Sequence, residues 1–178
     1  ASGTTALIAL AKYFAMQETP ERTLVFAALA AEEIGGFGAR HLLKNLQPDR
    51  IAAMVNLEMV GTVSKFGPRS FWLTGYDRSA LGVLMSEELN GSGYKVFPDP
   101  YPEENLFFRS DNAAFARAGV PAHTISTTPI DVDSVNHTVN DEFERMDVGH
   151  LLETVRGIAR GIRGIVDGRQ TPGRISIK

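Results

Sequence analysis

Apolar positions recur along this chain with two different periods. Leu7, Leu10, Ala11 and Phe14 fall at helical spacing and predict a helix over Ala6–Met16. Ser2 or Thr4 is its expected cap, and Thr19-Pro20 its stop. Thr23–Ala30 is a nearly continuous apolar run of strand length, the pattern of a parallel strand covered on both faces. Gly35-Gly36-Phe37-Gly38 reads as a turn, followed by a short helix to about Leu46. Ile51–Leu57 is a second candidate for a buried strand, Phe71–Thr74 a short one and Tyr94–Phe97 an edge strand. Ser79–Leu89 reads as a helix ending at Asn90-Gly91. Asp99–Asn105, with two prolines, is a loop. Asp111–Ala118 is a short helix stopped by Gly119, and Ala122–Ser126 a strand leading into a polar loop as far as Asp147. One apolar stripe runs through Val148, Leu151, Leu152, Val155, Ile158, Ile162 and Ile165 and predicts the last helix, with Arg169–Lys178 as a tail.

Strands alternating with helices predict a layered α/β fold, in which sites collect beyond the carboxyl ends of the strands. With 178 residues the chain is the size of one domain, residues 1–178, and its composition (43% hydrophobic, 22% charged) is that of a globular protein. A net charge of −3 and a pI near 5.8 argue against a nucleic-acid or anionic-membrane partner. The longest apolar runs are too short to span a bilayer. There is no cysteine, so any metal must be held by His, Asp or Glu. The chain opens on Ala1 almost directly into a helix pattern, which reads as a fragment or processed piece.

The strand-end rule singles out three places. Glu32-Glu33 follows the run Thr23–Ala30, and adjacent carboxylates repel unless a cation or hydrogen-bond donors offset them. Glu58 follows Ile51–Leu57 among apolar neighbours, and His137 lies in the loop after Ala122–Ser126. Taken singly, each has an ordinary explanation: a solvated pair, a carboxylate in a buried hydrogen bond or salt bridge, and an exposed loop histidine. Together they bring zinc-ligand residue types to strand ends that converge on one rim, with a second glutamate free to act as general base on activated water. His41, His123 and His150 lie within helix or strand patterns and have weaker cases as ligands. Other chemistries lack their motifs: there is no G-x-S-x-G elbow, no cysteine nucleophile and no phosphate-binding glycine loop.

Longer segments carry a family resemblance. Ala30-Ala31-Glu32-Glu33-Ile34-Gly35-Gly36-Phe37-Gly38 resembles the glutamate-pair motif of the zinc aminopeptidase family that includes bacterial leucyl aminopeptidases, glutamate carboxypeptidase II and plasma glutamate carboxypeptidase. Asn56-Leu57-Glu58-Met59-Val60-Gly61 is similar to the family's next metal motif. Arg109-Ser110-Asp111-Asn112, then Phe115–Ala122, then His137-Thr138 with Asp141 follow in the family's order, and Ala1-Ser2-Gly3-Thr4 resembles the start of the helix after its bridging aspartate.

The resemblance implies a three-layer α/β/α fold around a mostly parallel mixed sheet, with the N-terminal part of the catalytic domain missing. It implies that Glu32 is the general base, that Glu33 and His137 ligate one zinc and Glu58 a second, and that Asp111 and Asp141 orient ligands. Three departures stand out. The family's first ligand histidine and bridging aspartate would lie upstream of Ala1, Glu58 stands where aspartate is usual, and Asn136 stands where an aromatic residue often precedes the ligand histidine. The implied function is hydrolysis of N-terminal peptide bonds by a two-zinc aminopeptidase acting on peptides, in a secreted, periplasmic or cell-envelope setting. The chain by itself is then expected to be inert, to hold zinc weakly, to have one of Glu32 and Glu33 either raised in pKa or turned to solvent, and to self-associate through an exposed strand edge. The alternatives are a one-zinc relative that cyclises N-terminal glutamine and a binding domain like that of the transferrin receptor, in which the fold persists without metals.

Overall fold

The computed structural model describes residues 1–175. Four strands form one mixed sheet: β1 (Met54–Leu57), β2 (Ser70–Leu73), β3 (Lys95–Pro98) and β4 (Ala122–Ser126), in the spatial order β1-β4-β2-β3. The pairs β1–β4 and β2–β3 are parallel, and β2–β4 is antiparallel. The helices are α1 (Ser2–Ala15), α2 (Phe37–Lys44), α3 (Leu81–Leu89), α4 (Asn112–Arg117), α5 (Val148–Gly161) and α6 (Arg163–Val166).

Two apolar cores lie on the two faces of the sheet, making three layers. The larger core packs Leu10 and Phe14 of α1, Leu81 and Met85 of α3, and Leu151, Val155 and Ile158 of α5 against Phe71, Leu73 and Ile125 of the sheet. The smaller packs Ala39 of α2 and Phe115 and Ala116 of α4 against Ala122, with Phe107, Val120 and Ile175. Strand alternation divides β1 between them: Met54 joins the smaller core, and Val55 and Leu57 the larger.

Three expectations are corrected. Among the described residues, Thr23–Ala30 belongs to no ladder. Leu24 packs on the larger core and Leu29 on the smaller, opposite sides as a two-residue period requires, but Val25 is 64% exposed and Phe26 39%. The apolar run therefore guarantees neither coverage nor a ladder, which needs a hydrogen-bonded neighbour that this segment does not have among the described residues. Neither Ser2 nor Thr4 caps α1, whose cap residue is Ala1 with no side-chain bond. The Ser2 hydroxyl accepts instead from the backbone N–H of Val60, at 3.2 Å. The final segment is not loose where it is described: Ile175 is buried, its N–H donates to the Gly119 carbonyl at 3.1 Å, and the Arg174 guanidinium donates to the carbonyls of Pro48, Ile51 and Ala118. Residues 176–178 of the expected tail lie outside the described residues. The last helical stripe divides at Ile162 into α5 and α6, and Asp147 caps α5 by accepting from the His150 N–H at 2.8 Å.

Close approach of α1 to the sheet depends on one glycine. A Cβ on Gly3 would lie 2.1 Å from the Leu57 carbonyl oxygen, immediately before Glu58. Gly3→Ala is expected to destabilise the fold by roughly 1–3 kcal/mol, the usual cost of overpacking. Urea denaturation checks this, and unchanged stability would mean that the helix does not sit so close.

Candidate active site

Each candidate side chain is presented by a tightly specified piece of backbone. After Ala31, which has a left-handed φ of 61°, the chain turns so that the Glu32 carbonyl accepts from the N–H groups of Gly35 and Gly36, both at 2.9 Å. Gly36, with φ 64°, then opens α2. A Cβ on Gly38 would lie 2.6 Å from the Ala30 carbonyl oxygen, which is why a glycine is needed where α2 begins. Glu58 follows β1 directly, and its N–H extends the ladder to the Ile125 carbonyl at 3.1 Å. Met59, with φ 50°, then turns its carbonyl into a hub that accepts from the backbone N–H groups of Thr127 and Thr128 and from the hydroxyls of Ser126, Thr127 and Thr128. His137 also has a left-handed φ, 61°, and sits in the long loop between β4 and α5. Three non-glycine residues in this costly backbone region therefore flank or form one cluster, a distribution associated with functional sites.

These turns bring the predicted residues together. The His137 Nε2 lies 3.4 Å from Glu33 Oε1, with side chains 65% and 70% exposed. Glu32 is close enough to Glu58, Glu33, Asp111 and His137 to feel the charge of each. Burial, then the neighbouring Glu58, Glu33 and Asp111 carboxylates, push its pKa up to about 7, with His137 opposing. Burial also raises Glu58, helped by Glu33 and Asp111 and opposed by the nearby Ser110 hydroxyl and the Arg109 guanidinium. Burial raises Asp111. The expected relief of the glutamate pair thus takes both forms: Glu32 holds its proton more tightly and Glu33 points to solvent. Asp141 stands apart. Its N–H donates to the Thr138 carbonyl at 3.2 Å, but its exposed carboxylate has no hydrogen-bond or ion-pair partner among the described residues.

A metal would suit part of this arrangement. Glu33 and His137 present an oxygen and a nitrogen donor of the types zinc prefers, and the mutually repelling carboxylates around Glu32 form a locus that a cation would stabilise. The buried Oδ1 of Asp111 has no hydrogen-bond partner, an oxygen left for something beyond these residues. Among the described residues, no group of three or more His, Asp or Glu is arranged to hold a metal ion.

The sequence reading missed the polar scaffold behind the cluster. The Asn56 side-chain amide donates to the hydroxyls of Ser110 at 2.8 Å and Thr124 at 3.1 Å. Thr124 donates to the Asn112 side chain, whose own amide donates to the carbonyls of Phe107 and Ala122. Asn56 one position inside β1 was its only outward signal: an amide in a strand otherwise apolar needs partners.

His123 is not a ligand candidate. Its ring is buried, with Nδ1 2.8 Å from the Thr74 carbonyl and Nε2 2.7 Å from the Ser79 hydroxyl. Burial lowers its pKa below the ordinary 6.5. A neutral folded histidine contributes stability that is present above the unfolded pKa and lost as pH falls below it. The melting-temperature advantage of wild type over His123→Gln is therefore expected to shrink between pH 7.5 and pH 5. A constant difference across that range would show that the ring does not titrate between the two states.

The layers and the mixed sheet define a three-layer α/β/α domain, and similar solved structures share this fold. The crystal structure of the Legionella pneumophila LapA aminopeptidase superposes with a TM-score of 0.78 at 20% identity, covering 93% of this chain and 45% of that one. The zinc aminopeptidase BSAP from Bacillus subtilis gives a TM-score of 0.76 at 19% identity, covering 99% and 44%. A protein described as "Probable leucine aminopeptidase" from Arthroderma otae is 29% identical over 140 residues, 74% of this chain and 36% of its own length. Residues 1–161 match Peptidase family M28, and the chain belongs to that family. It spans less than half the length of these relatives.

Proposed function

We propose that this chain carries the glutamate-bearing part of a two-zinc aminopeptidase, with Glu33 and His137 holding one zinc and Glu58 contributing to a second. The observation that carries the reading is the pairing of Glu33 with His137 at 3.4 Å, with Glu32 close enough to feel the charge of both. A general base must lie within reach of the proton it abstracts. Zinc held by Glu33 and His137 would supply Lewis-acid polarisation of the scissile carbonyl and a lowered pKa for water. Glu32 takes the proton from the attacking water and returns it to the leaving amine. Asp111 and Asp141 are assigned to orienting ligands. The buried, unpartnered Oδ1 favours that role for Asp111, and nothing in its contacts favours it for Asp141.

Catalytic zinc sites use three protein ligands and an open position. Glu33 and His137 supply two, so the 178 residues alone are expected to bind zinc weakly and to be inert. Submicromolar zinc binding by calorimetry to a chain of verified mass would overturn the ligand assignment. One observation favours a one-zinc relative: Glu33 and His137 are the only Glu–His pair within 4.0 Å among the described residues, while Glu58 sits back near Ser110. The test is made on the full-length protein. Release of amino acids from leucine- and alanine-type amides supports the aminopeptidase, and cyclisation of N-terminal glutamine supports the one-zinc reading. Neither activity in a zinc-loaded protein rejects both.

A further inference from the structure

A groove of about 460 Å³ runs between α2 and α4 and reaches Glu32 at one end. Its volume falls within the roughly 300–1,000 Å³ of small-ligand pockets. Its floor is apolar, made by Ala39, Leu43, Phe108, Ala113 and Ala114. Its walls carry four cations. Arg40 and Lys44 are four residues apart on α2 and so share one helix face. Arg109 and Arg117 stand on the other side, before and at the end of α4.

These cations are largely unneutralised. Arg109 pairs with Glu104 at 3.3 Å. Arg40, Lys44 and Arg117 have no carboxylate partner among the described residues. Arg40 stacks on the Phe37 ring at 4.6 Å and Arg117 on the Phe108 ring at 5.4 Å, contacts that hold the guanidiniums at the rim without consuming their charge. The only acids lining the groove are Glu32 and Asp111, at the end where the reaction is assigned. In a chain of net charge −3, three exposed cations without carboxylate partners among the described residues, with Arg109 beside them, form a positive patch along the trough that an anion would neutralise. The trough suits a ligand with an aliphatic body and a carboxylate end, recognised by guanidinium hydrogen bonds.

We infer that this groove binds a carboxylate of the peptide substrate, so that the enzyme favours peptides bearing an acidic side chain or a free C-terminal carboxylate next to the scissile bond. This rests on the aminopeptidase reading. A wholly apolar leucine-type pocket would have no use for the four cations.

The full-length, zinc-loaded protein is assayed on two matched pairs. Leu-Glu amide against Leu-Gln amide reports the side chain, and Leu-Ala against Leu-Ala amide reports the terminus. At least one pair is expected to show kcat/KM about tenfold or more in favour of the carboxylate, the scale of one charge-assisted hydrogen bond. Arg117→Glu and the double variant Arg40→Ala with Lys44→Ala should reduce that ratio, and raised salt should do the same. Because the readout is a ratio on one preparation, partial misfolding cancels. Ratios at or below one in both pairs, or ratios indifferent to Arg117→Glu, overturn the inference while leaving the aminopeptidase intact. If none of the four peptides is hydrolysed, the aminopeptidase reading fails, and calorimetric binding of the same peptides decides the groove. Tighter binding of the carboxylate member keeps a carboxylate site, and equal or weaker binding removes it.

Discussion

Glu32→Gln in the full-length protein is expected to lower turnover by roughly 10²–10⁴-fold, the contribution typical of a general base, while leaving bound zinc nearly unchanged. Glutamine keeps the size and polarity of the side chain but cannot accept the proton. The same substitution has a second consequence without metal. The Glu32 pKa rises from 4.5 to about 7 on folding, so the folded state holds the proton more tightly than the unfolded one. The resulting penalty is fully present above about pH 7 and shrinks as pH falls towards the unfolded value. Metal-free Glu32→Gln should therefore melt higher than wild type at pH 8, by a margin that narrows at pH 5. Retained activity would remove Glu32 from the mechanism, and a margin that widened at low pH would contradict its raised pKa.

The second large effect is expected at Glu33 and His137. Glu33→Ala or His137→Ala, in the full-length protein, should cut zinc affinity by more than the roughly 10–100-fold that loss of a ligand-orienting partner costs. Activity should fall with the metal. Elemental analysis after dialysis against a weak chelator reads the loss directly. The two side chains are exposed and share a surface contact that contributes little to stability, so both variants should fold as wild type does. Near-normal zinc in either variant would show that the pair is an ordinary surface contact.

Much of this site was legible because its residues sit where chemistry and periodicity coincide. Glu58 directly after an apolar strand and Glu32-Glu33 directly after an apolar run are visible as charges where burial should continue. His137 had a weaker signal. It stands in a polar loop beyond β4, where the strand-end rule points, but its role as a ligand came only from the order of segments shared with a family. β4 was legible as the run Ala122–Ser126 after Pro121, and all five residues are buried, although burial itself continues through Thr128. The status of Thr23–Ala30 did not follow, because both coverage and hydrogen-bond partners of an apolar run depend on distant chain. The Arg174 anchor was likewise hidden. A lone arginine near the end of a polar segment looks solvated until three backbone carbonyls are found around its guanidinium.

The parallel pairing of β1 with β4 has a consequence in time. Asn56 and Thr124, bonded side chain to side chain across this ladder, are 68 residues apart in sequence. Closing a loop of that length must precede any reward from the ladder, and non-local pairings of this kind form slowly. Glu58 takes its position from β1, and the Met59 carbonyl beside it is fastened by residues just beyond β4. Helices α1, α3 and α5 can form early because their own hydrogen bonds are local, but the acidic rim has no shape until this ladder closes. A refolding chain would therefore regain helical signal well before it could bind a divalent cation.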